Sequence, residues 1–92
     1  MKIFLVCLES NVDGEHMFDS IPCATKEKAI EILQEEKNTL LNESYHYSPF
    51  TLEELKNSDE FEVEDLPDKF SVTDFTDDYW EDYYIEEKDV LA

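Results

Sequence analysis

The segment KIFLVCLESNVDGEHMFDSIPCA, residues 2–24, decides the fold because it predicts a β-hairpin at the start of the chain. Its first eight residues are rich in β-branched and aromatic types and are apolar on both strand faces, which is typical of a strand inside a sheet. Asp13-Gly14 follows this apolar run and is a strong hairpin-turn signal. Pro22 favours an edge position for the returning strand.

The same turn fixes the expected positions of the two cysteines. With Asp13-Gly14 at the turn, Cys7 lies opposite Ser20, and Cys23 falls three residues further along on the other face. The sulfurs then do not meet, which predicts two buried, reduced thiols. The apolar run at residues 3–8 is too short for a signal-peptide core or a membrane span, so we expect a cytoplasmic protein.

Two helices are predicted after the hairpin. Thr25 is a suitable N-cap for a helix from about Lys26 to about Asn42. In FTLEELK, residues 50–56, Thr51 and Glu54 have the spacing of a capping box. The apolar stripe of the first helix comprises Ala29, Ile30, Leu33, Leu40 and Leu41, and Phe50 and Leu55 have the spacing of a hydrophobic staple at the second.

The pattern then changes to the alternation of strands. Phe61 and Val63 share one face of EFEVEDL, and Phe70 and Val72 share one face of KFSVTDF, with a turn at LPDK between them. YYIEEKDVL, residues 83–91, is a candidate last strand. The sequence therefore predicts a single small α+β domain over residues 1–92. Its antiparallel sheet, formed by the N-terminal hairpin and the C-terminal strands, packs against one long helix, with a second short helix.

The charge of the chain is its most unusual property. The 25 acidic residues outnumber the seven basic ones, all of them lysine, and give a net charge of −18. Such a surface repels nucleic acids and anionic membranes and attracts basic proteins. The sequence has a single glycine, no phosphate-binding loop and no arginine, so we expect neither an enzyme nor a bound cofactor.

Metal and nucleophile motifs are weak. Oxygen ligands from Glu9 to Gly14 mimic the first half of a calcium loop, but the twelfth position is Ser20 and the flanks are predicted strands, which favours a plain hairpin turn. His16 and His46 lack the spacing of a zinc site, and YHYSP around His46 indicates a loop with aromatic anchors. A cysteine paired with either histidine stays open as a nucleophile, although both cysteines lie in apolar strands. We expect no metal site.

Charge and aromatic residues coincide in DFTDDYWEDYYIEEKD, residues 74–89. One interpretation is that Phe75, Tyr79 and Tyr83, spaced by four, form the core face of an amphipathic helical turn. Trp80 is open to two interpretations, as a core residue or as an exposed anchor. The near absence of lysine instead favours a surface that captures a basic partner, with Tyr and Trp as anchors. The residues predicted to bind that partner are Asp74, Asp77, Asp78, Tyr79, Trp80, Glu81, Asp82, Tyr83, Glu86 and Glu87.

Three segments carry a resemblance. The opening MKIFLV strand, the helix start ATKEKAIEIL and the closing YYIEEKDVL resemble short uncharacterised proteins of phages and of Firmicutes mobile elements. The resemblance covers about half the chain and implies a fold and a phage or mobile-element context. It transfers no functional residue, and residues 44–68 depart from the pattern.

These observations lead to two functional hypotheses. The first is a non-enzymatic inhibitor that mimics nucleic acid in the binding groove of a host defence protein, such as a CRISPR effector or a restriction nuclease. The second is an acidic immunity protein that neutralises a cognate basic toxin through fast, electrostatically steered capture. In both, the partner is a basic protein.

Overall fold

The computed structural model describes residues 1–90, which form five strands and two helices. In chain order these are β1 (Lys2–Val12), β2 (Glu15–Cys23), α1 (Lys26–Glu43), α2 (Leu52–Asn57), β3 (Phe61–Leu66), β4 (Lys69–Asp74) and β5 (Tyr79–Asp89). The strands form one antiparallel sheet in the order β2-β1-β5-β4-β3, so the first and last strands pair in its interior. The predicted α+β class, with its antiparallel sheet and two helices, is confirmed.

The N-terminal hairpin has the predicted turn and register. Asp13 and Gly14 form the turn with φ angles of 53° and 81°, in the left-handed region that glycine adopts without strain. Cys7 pairs with Ser20, as expected, and β2 lies at an edge of the sheet. The segment that resembles half a calcium loop is therefore a strand end followed by a tight turn.

Both helices begin at the predicted caps. The Thr25 hydroxyl accepts a hydrogen bond from the Lys28 amide at 3.2 Å, and α1 ends one residue beyond the predicted Asn42. At α2, the Thr51 amide donates to Glu54 Oε1 at 3.0 Å and the Glu54 amide donates to Thr51 Oγ1 at 3.1 Å. These bonds satisfy amides that have no partner within their own helix. Neither helix of the described chain has the length and apolar character needed to cross a membrane.

The core lies between one face of the sheet and the helical segments. The predicted face of β4 is fully buried at Phe70 and Val72. Its cover comes from several segments as well as α1, because Tyr47 of the α1–α2 connection and Leu55 of α2 join the same cluster. The buried core residues are Val6, Cys23, Ala29, Leu33, Tyr47, Leu55, Phe61, Phe70, Val72 and Tyr83.

The last strand corrects one interpretation of the sequence. β5 begins at Tyr79 and pairs with β1 on one side and β4 on the other. The helical interpretation of Phe75, Tyr79 and Tyr83 is wrong, since Phe75 precedes the strand and is 62% exposed. In the extended conformation, the backbone amides and carbonyls of β5 bond to a partner strand on each side. This hydrogen bonding outweighs the helical pattern of the side chains. Leu91, the end of the predicted strand, lies outside the described residues.

The two cysteines lead to a first prediction. Both are free, and their exposed fractions are 0% for Cys7 and 6% for Cys23. Burial, followed by the nearby Glu86 carboxylate, raises the pKa of Cys7, which disfavours the reactive thiolate. We expect both thiols to react with a disulfide reagent in denaturant without reductant, and to react about tenfold or more slowly in the folded protein. Protection in denaturant would reveal a disulfide and contradict the hairpin register.

Candidate functional site

The alternation of β5 divides the predicted binding residues between the two faces of the sheet. Successive side chains of a strand point in opposite directions. Tyr83 belongs to the core cluster, so Glu81 shares the side of the sheet that the helices cover. Trp80, Asp82, Tyr84 and Glu86 therefore lie on the opposite side. The acids that are adjacent in sequence do not form one continuous surface.

We define the open face as the side of the sheet opposite the helices. Strand registers assign its members, because directly paired residues lie on the same side. Lys69 and Lys88 are its only lysines among the described strands, and each lies within 3.7 Å of an acid of this face. Its carboxylates are Glu9, Glu62, Glu64, Asp82 and Glu86, and its aromatic residues are His16, Phe18, Trp80 and Tyr84.

Three carboxylates form a row across the open face. Glu9 of β1 pairs directly with Asp82 of β5, which pairs with Ser71 of β4, and Ser71 pairs with Glu64 of β3. Burial, together with Glu9 and Glu64, raises the pKa of Asp82, while Lys69 opposes the shift. Asp82 Oδ1 is buried and makes no hydrogen bond within residues 1–90. The row thus brings three carboxylates together beside a single lysine of the described strands, Lys69, whose ammonium lies 3.5 Å from Glu64.

Aromatic side chains lie beside this row. The Tyr84 hydroxyl donates to Glu9 Oε1 at 3.1 Å, and burial together with Glu9 raises the pKa of Tyr84 to about 12. Trp80 is half-buried, and its ring centroid lies 5.7 Å from that of His16. Trp80 is outside the core cluster. Its ring is therefore available on the open face rather than enclosed in the core.

The turn before β5 adds exposed acids at one end of the sheet. Asp77 and Asp78 are both exposed, and Asp78 has a φ of 57°. The Asn11 side chain of β1 donates to the Asp78 carbonyl at 2.8 Å, which ties this turn to the adjacent strand. Asp77 and Asp78 therefore add exposed negative charge at the end of the sheet where β5 begins.

Asp74 has a different role from these exposed acids. It is 3% exposed, and its Oδ1 accepts hydrogen bonds from the Thr76 amide at 2.8 Å and the Thr76 hydroxyl at 2.7 Å. Its Oδ2 lies 2.5 Å from His46 Nε2. Burial alone would raise the pKa of Asp74, but the hydrogen bonds from Thr76 and His46 lower it below its ordinary value. Asp74 thus holds the β4–β5 turn and the His46 loop together.

The remaining members of the predicted set lie on the helix side of β5. Tyr83 is buried in the core. The Glu87 carboxylate forms a salt bridge with the Lys2 ammonium at 3.3 Å, near the end of the strand. Tyr79 stacks on His46, with ring centroids 4.2 Å apart. Glu81 is half-buried, and burial raises its pKa to about 7 although the Tyr83 hydroxyl opposes the shift. Glu81, Tyr79 and His46 line a cavity of about 310 Å³.

His46, Asp74 and Asp77 also approach one another, with potential ligand atoms within 4.8 Å. Asp74 uses both of its oxygens for hydrogen bonds to Thr76 and His46, and His46 uses Nε2 in the same pair. A metal ion at this point would have to displace these bonds.

Sequence reasoning missed this cluster. His46 and Asp74 are 28 positions apart, so their pairing has no local signature. Of the two aromatic residues that flank His46, Tyr47 is buried in the core and anchors the loop as predicted, whereas Tyr45 is fully exposed and does not. Read as a strand, residues 79–85 place Glu81 and Asp82 on opposite faces of the sheet. The spacing by four of Phe75, Tyr79 and Tyr83 favoured a helix instead and obscured this division.

Comparison of the chain with protein-family models, with curated proteins and with solved structures finds no match.

Proposed function

We propose that this protein is a non-enzymatic acidic inhibitor that occupies the nucleic-acid-binding groove of another protein. The carboxylates of the open face take the place of phosphates, and the exposed turn acids Asp77 and Asp78 add negative charge at one end of the sheet. In a phage or mobile-element setting, the target is a host defence protein such as a CRISPR effector or a restriction nuclease. The partner is therefore a basic protein whose groove ordinarily contacts a phosphate backbone.

The row of Glu9, Asp82 and Glu64 is the observation that carries this proposal. Like charges directly opposite each other on neighbouring strands destabilise a sheet. Glu9 and Asp82 are such a pair, and Lys69, which lies 3.5 Å from Glu64, opposes the repulsion at Asp82. A charge arrangement that weakens the fold is consistent with selection for binding.

The aromatic residues of the open face support the same proposal. Proteins that bind single-stranded nucleic acid combine a positively charged groove with side chains on which bases stack. Trp80 and Tyr84 alternate with Asp82 and Glu86 along one face of β5. The face therefore offers negative charges and flat rings to a groove that ordinarily receives phosphates and bases.

The test compares two variants of equal charge. The open-face variant carries Glu9→Gln, Glu64→Gln, Asp82→Asn and Glu86→Gln. The control variant carries four changes on exposed positions of α1, namely Glu27→Gln, Glu31→Gln, Glu35→Gln and Glu43→Gln. A partner is first recovered from host lysate with the unaltered protein, and its association rate with each variant is then measured at several salt concentrations.

We expect the open-face variant to associate about tenfold more slowly than the control variant, because steering depends on charge at the binding surface. Added DNA or RNA should displace the unaltered protein from its partner, whereas a toxin–immunity pair need not respond to nucleic acid. Equal rates for the two variants, or a complex that nucleic acid fails to displace, would contradict the mimic proposal.

A further inference from the structure

A second binding feature lies on the helix side of the sheet, away from the open face. The cavity of about 310 Å³ lies between the α1–α2 connection and the start of β5. Ligand pockets range from about 300 to 1,000 Å³, so this one has room for a small group or a single side chain. Its lining includes Val12, Tyr45, His46, Tyr47, Tyr79 and Glu81.

One polar group in the lining of the cavity has no hydrogen-bond partner among the described residues. Tyr47 is 1% exposed, and its buried hydroxyl has no hydrogen-bond partner in the described chain. Glu81 lines the same cavity, and its charge contributes to the raised pKa of Tyr47, although burial is the larger cause. Buried polar groups in proteins are almost always paired, so an unpaired hydroxyl beside a carboxyl group indicates a missing partner.

The walls of the cavity are flat aromatic rings held in fixed positions. His46 and Tyr79 are stacked with an interplanar angle of 27°, and His46 lies edge-on to Tyr47 with ring centroids 4.7 Å apart. The contact of His46 with the buried Asp74 fixes the imidazole. Tyr45, also part of the lining, is fully exposed and leaves its ring free for contact.

We infer that this cavity binds a guanidinium group, supplied by an arginine of the partner protein. A guanidinium is a planar cation that donates hydrogen bonds in its own plane and stacks on aromatic rings. Glu81 and the Tyr47 hydroxyl can accept such bonds, and the aromatic walls match the planar faces. That a partner protein supplies the guanidinium rests on the proposed function, because a basic partner offers arginines. The chemistry by which the cavity binds a guanidinium does not depend on the proposed function.

The experiment uses a small probe rather than the partner. Ethylguanidinium chloride is titrated into the full chain at pH 8 and constant ionic strength, and the aromatic NMR signals of His46, Tyr47 and Tyr79 are followed. We expect saturable shifts with a dissociation constant on the order of 1–10 mM, which is reasonable for a ligand of this size. Butylammonium should bind more weakly because it cannot stack, and the neutral isostere ethylurea should not produce saturable shifts.

Three single-residue variants test whether the probe binds in this cavity. Glu81→Gln should weaken probe binding about tenfold or more, since it removes the charge-assisted hydrogen bonds. Tyr47→Phe keeps the ring, removes the hydroxyl and should weaken binding by a smaller factor. Glu35→Gln, on an exposed position of α1, removes the same charge elsewhere and should leave binding unchanged.

Four results would each overturn the inference: shifts that do not saturate, equal shifts with ethylurea, butylammonium binding as tight as that of ethylguanidinium, or equal probe affinities of the Glu81→Gln and Glu35→Gln variants. None of these results depends on the open face. Conversely, failure of the open-face variant to slow partner association would overturn the proposed function and leave the probe titration unaffected.

Discussion

Replacement of Phe70 by alanine is expected to lower the free energy of unfolding by about 3–5 kcal/mol. The Phe70 side chain is 0% exposed and belongs to the core cluster. Its ring lies 6.4 Å from that of Tyr83, and the Lys37 ammonium lies 5.7 Å from the ring centroid. Removing the ring loses buried apolar area and leaves a cavity that the surrounding strands fill only in part. Urea denaturation followed by circular dichroism at neutral pH measures the effect.

Trp80→Ala is the matched control for this prediction. It removes a larger ring from the neighbouring strand, but Trp80 is half-buried on the open face and lies outside the core cluster. We expect it to cost less than about 2 kcal/mol, because only part of the ring leaves water on folding. Equal losses from Phe70→Ala and Trp80→Ala would show that the open face is part of the core, and the division of β5 into two faces would be wrong.

The second large effect is expected on the stability of the protein when Glu81 is replaced. Its pKa is raised from 4.5 to about 7, mainly by burial, so the folded protein holds a proton that the unfolded chain releases. A shift of this size is worth about 3 kcal/mol for a fully buried group, and partial exposure to water reduces it to about 2 kcal/mol. Glu81→Gln keeps the shape of the protonated side chain. We therefore expect this variant to be about 2 kcal/mol more stable than the unaltered protein at pH 8.

The sign of the pH dependence follows from the direction of the shift. Because the pKa of Glu81 is raised in the folded state, its contribution to stability is fully present below pH 4.5 and is lost as pH rises through about 7. The titratable groups that line a cavity together with Glu81 are Asp19 of β2, Tyr45, His46 and Tyr47 of the α1–α2 connection, and Tyr79 and Tyr83 of β5. Of these, the Tyr83 hydroxyl acts on the pKa of Glu81 and opposes the rise.

Urea denaturation of both proteins between pH 4.5 and 8 isolates the contribution of Glu81. The difference between the Glu81→Gln variant and the unaltered protein should be close to zero at the acidic end and grow toward pH 8. Glu35→Gln reports the general gain from removing one negative charge. The contribution of Asp74 to stability depends on pH in the opposite direction, because its pKa is lowered in the folded state. That contribution is lost only as pH falls below 3.8. A difference that is constant across the range would contradict the burial of Glu81.

Several elements of the fold could be predicted from the sequence because their determinants are local. Asp13-Gly14 can form a tight turn with positive φ angles, and that turn alone sets the register between Cys7 and Ser20. The capping box at Thr51 and Glu54 depends on residues three positions apart. The buried face of β4 followed from the two-residue period of Phe70 and Val72. Each signal is complete within a few residues of chain.

The sequence by itself thus determined the hairpin, the helix starts, the alternating strands and the strongly negative charge, whereas only the tertiary structure decided which acids act together. β5 pairs with β1, whose paired residues are 69 to 87 positions away, and this pairing gives β5 an extended backbone in spite of helical spacing. Extended backbone then directs Glu81 toward the cavity beside His46 and Asp82 toward Glu9 on the open face. Contacts between distant segments leave no periodic trace in the sequence. The two adjacent acids consequently acquire different surroundings and different chemistry.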